Sequence, residues 1–144
     1  MESGASSSDT ARAMSRENIE IARRAFEALN RGDLSGALKD SAADFVFDFS
    51  RSLSPERGVY GREDLPRFRD VFVGHWDSVR YEVEELIEAD DLVITAFSMH
   101  MRGRDGIAVQ TRNAWLWSFR NGQVGRITFF QERRDALEAA GLSE

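Results

Sequence analysis

The sequence contains no cysteine, which removes disulfides, thiolate nucleophiles and cysteine metal sites together and calls for no oxidising compartment. Lysine is almost as scarce: of 19 basic residues only Lys39 is a lysine, leaving 18 arginines. Nor is there an excess of positive charge. The formal charge is −6 and the pI near 5.0, a field that repels phosphate backbones and anionic head groups, so neither nucleic acid nor membrane is an expected partner. Long hydrophobic runs are also missing. The first fourteen residues, Met1 to Met14, are small and polar without the apolar block of a secretory signal or a membrane span. They read as a disordered leader before a single domain over residues 15–144. A cytoplasmic location is the default expectation.

What is present is a patterned chain of 144 residues, 42% hydrophobic, long enough to bury a core. Ile19, Ala22, Ala25, Phe26 and Leu29 recur at three and four, predicting a helix that Ser15 can cap and Gly32 can stop. Asp33 can cap a short second helix carrying Leu34, Ala37 and Leu38, before a strand over 44–50. Past an irregular stretch through Pro55 and Gly58, Leu65, Phe68, Val71, Phe72 and Trp76 predict a third helix over Arg62–Trp76, with Pro66 tolerated in its first turn. The period then switches from helical to alternating. Val79, Tyr81 and Val83 alternate with Arg80, Glu82 and Glu84, and strands over Val93–Met101, Ala108–Phe119 and Val124–Phe130 follow between turn signals such as Arg120-Asn121-Gly122. A tail over Arg133–Ala140, closed by Gly141, reads as helical. Helices followed by hairpin-linked strands make an α+β domain with helices on one face of a curved, mostly antiparallel sheet. Three main helices cover only one side of such a sheet, so its outer face is expected to pair in a homodimer.

Four segments resemble a known family. Glu27-Ala28-Leu29-Asn30-Arg31-Gly32-Asp33-Leu34, Gly58-Val59-Tyr60-Gly61-Arg62-Glu63, Trp117-Ser118-Phe119-Arg120-Asn121-Gly122-Gln123-Val124 and Arg134-Asp135-Ala136-Leu137-Glu138-Ala139-Ala140-Gly141-Leu142 are similar to the SnoaL-like branch of the nuclear-transport-factor-2-like superfamily. The resemblance implies a cone-shaped α+β fold around a pocket, commonly dimeric through the outer sheet face. Its members include ketosteroid isomerase, limonene-epoxide hydrolase and polyketide cyclases, so fold alone does not decide activity.

The family's catalytic sets do not carry over whole. Ketosteroid isomerase uses an Asp base with a Tyr and a protonated Asp as oxyanion donors. The Tyr position falls here on Ala25 and the second acid near Trp115, while the base falls on Phe49 or, with a slip of one residue, on Asp48. The epoxide-hydrolase positions fall near Phe97, Met99 and Phe129. Asp48 is thus the single catalytic candidate. In a regular strand it lies opposite Phe45, Phe47 and Phe49. A solvated carboxylate with an ordinary pKa is the favoured reading; a base with a raised pKa requires a bulge that turns Asp48 inward.

The remaining candidates are a surface or dimer-face His100, a helix-terminal His75 and an acidic run from Glu82 to Asp91 that reads as a solvated edge. No metal or cofactor is implied. If the pocket side is the one carrying Phe97 and Met99, as the resemblance implies, then Phe47, Phe49, Thr111, Asn113 and Trp115 share it. Phe26, Phe72 and Trp76 face it from the helices, with Asn113 and Gln131 as sparse polar points. Such a lining suits a small, largely hydrophobic organic ligand. Three readings stay open: a cofactor-independent isomerase, cyclase or hydrolase; a non-enzymatic carrier or sensor; and a dimeric structural module whose aromatics fill the core.

Overall fold

The computed structural model describes the backbone of residues 3–143 and the side chains of residues 12–143. Helix α1 spans Ser3–Asn30 and the short α2 spans Leu34–Ala37, followed by strand β1 at Ser41–Asp48 and the three-residue β2 at Val59–Gly61. A 3-10 turn over Arg62–Asp64 leads into α3 at Leu65–Gly74. Strands β3 (Ser78–Ala89), β4 (Leu92–Arg102), β5 (Ala108–Arg120) and β6 (Gln123–Phe130) come next, and α4 closes the chain at Arg133–Ala139.

Local chemistry accounts for most of these boundaries. Asp33 caps α2 by accepting the Gly36 N–H at 2.9 Å. Asn121 and Gly122, at φ 54° and 78°, form the two-residue turn between β5 and β6 that an Asn-Gly pair favours. Asn30 ends α1 by bonding both backbone groups of Tyr81, its amide donating to the carbonyl at 2.8 Å and its oxygen accepting the N–H at 2.7 Å, which ties the helix to the edge strand β3. Two expectations need correction. The first helix does not start at a Ser15 cap but runs from Ser3, through much of the segment expected as a leader; Ala11, Arg12, Ala13 and Met14 are good helix formers that extend it backwards. Strand β1 starts three residues earlier than expected and ends at Asp48, and β2 lies within the stretch read as irregular, too short to show an alternation.

The six strands form one curved, open sheet in the order β2-β1-β6-β5-β4-β3. All neighbours are antiparallel except β1 and β6, whose parallel register sets Phe47 beside Ile127 and Asp48 beside Thr128. Irregularities at Glu84 in β3 and between Ser118 and Phe119 in β5 break the pairing and add to the curl. Helices α1 to α3 pack on the concave face. There Phe26 stacks on Trp115 at 4.9 Å and meets Phe97 at 5.2 Å, inside one buried cluster with Phe45, Phe47, Met99, Trp117 and Phe129.

The convex face is not bare, which corrects the expectation of an uncovered outer surface. Alternation sends Ile94, Ala114, Leu116 and Phe130 outward, and Ala136 and Leu137 of α4 bury them in a second, smaller core. The rest of this face is polar. Ser98 is fully buried and donates to Glu84 at 2.9 Å, Arg112 lies 3.7 Å from Glu84, and His100 pairs with Glu82 at 2.9 Å.

Candidate functional site

Asp48 points to the convex face, as strict alternation requires, yet it is not solvated: its side chain is 8% exposed. Ser50 donates to Oδ1 through its hydroxyl at 2.5 Å and its N–H at 3.0 Å. Arg126 donates to Oδ2 at 2.5 Å, and Arg51 lies 3.7 Å from the same oxygen while resting 5.0 Å over the Phe130 ring. Burial pushes the carboxyl up, but the Ser50 and Arg126 hydrogen bonds outweigh it and hold the pKa below its ordinary 3.8. Both sequence readings are thereby corrected. The group is neither exposed with an ordinary pKa nor an inward base with a raised one; it is the ionised hub of a cluster over β1 and β6.

The concave side holds two hollows that share Phe72. The inner one, about 90 Å³, lies between α1, α2, α3 and the sheet and is lined by Ala25, Phe47, Phe68, Tyr81 and Trp115 among others. Its polar members are Arg69, which donates to the Gly32 carbonyl at 3.0 Å, and Tyr81. The Tyr81 hydroxyl has no hydrogen-bond partner among the described residues; burial pushes its pKa up to about 12, and the nearby Arg69 offsets this only in part. The outer hollow, about 500 Å³, opens at the mouth of the cone. Its size is within the usual range for ligand pockets, about 300–1,000 Å³, whereas the inner one is below it.

The residues expected to meet ligand divide accordingly. Phe49, Phe72, Trp76, Met99, Thr111, Asn113 and Gln131 lie around the mouth cavity, while Phe47 and Trp115 line the inner hollow. Phe26 and Phe97 line neither of the two and are packed core. Thr111 donates to the Asn113 oxygen at 3.0 Å, and the Asn113 amide reaches the Gln131 carbonyl at 3.5 Å, so the expected polar points are connected. Asp48 is not among the residues around either hollow.

Sequence reasoning missed one side of the mouth, the segment from Ser52 to Glu56. Ser54-Pro55-Glu56-Arg57 is a β-turn closed by the Arg57 N–H on the Ser54 carbonyl at 3.1 Å, and Pro55 is well suited to its second position. Ser54 accepts the Glu56 N–H at 3.1 Å and donates its hydroxyl to Glu56 Oε1 at 2.7 Å, while Tyr60 donates to the Glu56 carbonyl. A carboxylate is thus fixed at the cavity wall with its side chain 17% exposed, and its other oxygen lies 3.8 Å from His75 Nε2. The carboxylate stands between serine and histidine, so this is not the order of a nucleophilic triad, in which histidine bridges the other two. Proline after serine signalled the turn; nothing local signalled which hollow the turn would face. Among the described residues, no group of three or more His, Asp or Glu is placed to hold a metal ion, and no helix is long and apolar enough to cross a membrane.

Solved structures share this architecture. An NTF2-like protein of unknown function from Burkholderia pseudomallei superposes with a TM-score of 0.72 at 21% identity, covering 88% of this chain and 96% of that one. A putative SnoaL-like polyketide cyclase from Jannaschia gives 0.67 at 18% identity, over 81% and 86% of the two chains. A Mycobacterium tuberculosis protein solved with estradiol-17beta-hemisuccinate gives 0.67 at 15% identity, over 81% and 95%. At these identities the likeness shows the fold alone. No curated protein matches the chain. The sequence model of the SnoaL-like domain, however, matches residues 22–127, from the middle of α1 through most of the sheet, and the chain belongs to the SnoaL-like domain family.

Proposed function

We propose that this domain binds a small, largely hydrophobic organic molecule in the mouth cavity. The observation that carries the reading is the cavity of about 500 Å³, whose exposed lining is mostly apolar, from Phe49, Phe72, Trp76, Met99 and Phe129, with polar side chains such as Ser54, Glu56, Asn113 and Gln131 set among them. Neighbours named as a polyketide cyclase and as a complex with a steroid ester support testing polycyclic ligands. Any turnover there is cofactor-independent isomerisation, cyclisation or hydrolysis. Asp48 is outside the cavity and is not the base we would assign. Steroid-, terpene- and polyketide-like compounds should shift the emission of Trp76 and raise the melting temperature. A panel that changes neither would return the molecule to the filled-core reading. A homodimer through the polar part of the convex face, around Arg80, Glu82, His100 and Arg112, is the accompanying assembly; a mass of 16.3 kDa in light scattering at micromolar concentration would refute it.

A further inference from the structure

We propose that the mouth cavity selects a ligand with a protonated amine on an apolar body, and that Glu56 is the residue that receives the amine. The inference rests on the proposed binding reading and adds the ligand's charge. Of the groups around the cavity, Glu56 is the carboxylate, and it is held rather than free: Ser54 and Tyr60 fix its backbone, and the Ser54 hydroxyl occupies Oε1. Oε2 retains acceptor capacity. A carboxylate on a low-dielectric wall focuses negative potential into the concavity, and the chain's charge of −6 reinforces it.

The rest of the lining favours the same charge. Phe49, Phe72, Trp76 and Phe129 offer aromatic rings, whose faces attract cations, and Met99 and Met101 add polarisable sulfur. The cationic side chains at the rim do not neutralise the interior. Arg112 is 76% exposed and lies 3.7 Å from Glu84 on the other face of the sheet. His75 is 63% exposed beside Oε2, where it is a competitor for the carboxylate only when it carries a proton. An anionic ligand would meet Glu56 without a buried cation to balance it, and a purely apolar one would cover a carboxylate without replacing its water.

Three naphthyl probes of similar shape separate the possibilities: 1-naphthylmethylamine as the cation, 1-ethylnaphthalene as the neutral body and 1-naphthoate as the anion. Titrations followed by tryptophan emission are run at pH 8, above the range in which histidines ordinarily gain a proton. The amine is expected to bind about tenfold tighter than the neutral probe, and the anion weakest. In Glu56→Gln the amine should fall to the affinity of the neutral probe, whose own binding is retained and reports that the cavity is intact. Glu56→Asp, which keeps the charge but withdraws it, should leave part of the preference. Equal binding of amine and neutral probe by the native chain, or tightest binding of the anion, overturns the amine inference and leaves the cavity reading standing. A native chain that binds none of the three overturns both.

Discussion

The two faces of strand β1 place Phe47 and Asp48 side by side in the chain and in opposite physical regimes. Phe47 turns to the concave side, where Phe49, Phe68 and Trp115 lie 5.5, 5.6 and 5.5 Å away and nothing but ring packing is required of it. Asp48 turns to the convex side and is just as buried, but its burial is tolerated only because Ser50 and Arg126 replace the water it lost. One side of the sheet is held by shape, the other by pairing. Alternation therefore predicts direction, not solvation: an outward residue in a curved sheet can be covered by its own neighbours.

The sharpest way to separate the faces is to remove one member of each. Phe97→Ala on the concave side should cost about 3–5 kcal/mol in denaturant unfolding, since it empties a closed aromatic site; a loss below about 1 kcal/mol would mean that the concave core is loosely packed. Asp48→Asn should cost less, about 1–2 kcal/mol, because Arg126 is half exposed and recovers water. Its pH signature is the stronger test. The Asp48 carboxylate is held below 3.8, so its contribution is complete above that unfolded value and is lost as the pH falls through the lower folded one. Asp48→Asn should flatten that acid limb while leaving probe binding in the mouth unchanged.

Tyr81 supplies the opposite limb. Its neutral hydroxyl is favoured by folding, so its contribution is complete below 10 and fades as the pH rises toward about 12; Tyr81→Phe should remove that alkaline loss. Tyr60→Phe, which releases the Glu56 carbonyl, should cost about 1 kcal/mol and raise hydrogen exchange across Ser52 to Gly58. Arg112→Ala, on the face proposed to pair, should lower stability in a way that depends on protein concentration; a loss independent of concentration would count against that interface. The smallest effect is expected at Arg120→Ala, within about 0.5 kcal/mol, because the pair it makes with Asp44 is largely in water.

Elements whose causes are local were legible in the sequence. The Asp33 cap, the Asn121-Gly122 turn and the long alternating strands each arise from residues within a few positions, and the structure places them where the sequence does. The charged cluster was not legible, since Asp48 meets Arg126 across 78 positions and alternation names only a face, never the neighbour on it. Glu56 was hidden for a related reason. Its turn is written in Ser54-Pro55, but its role depends on Trp76, Met99 and Gln131 arriving from three other parts of the chain. The helix start was misread because Ser15, a good cap in isolation, sits among residues that favour helix on both sides.

The parallel pairing of β1 with β6 also dictates an order of events during synthesis. Until Gln123–Phe130 has left the ribosome, β1 has for sheet partner only the three residues of β2, and a two-stranded ribbon of that size is marginal in water. Strand β1 must therefore wait, with its phenylalanines uncovered, for a strand whose Arg126 lies 78 positions after Asp48. Closing that loop of roughly 80 residues is slow compared with forming the β3–β4 and β4–β5 hairpins. A nascent chain stopped before residue 123 should accordingly be protease-sensitive in β1, and acquire protection there only when Gln123–Phe130 arrives.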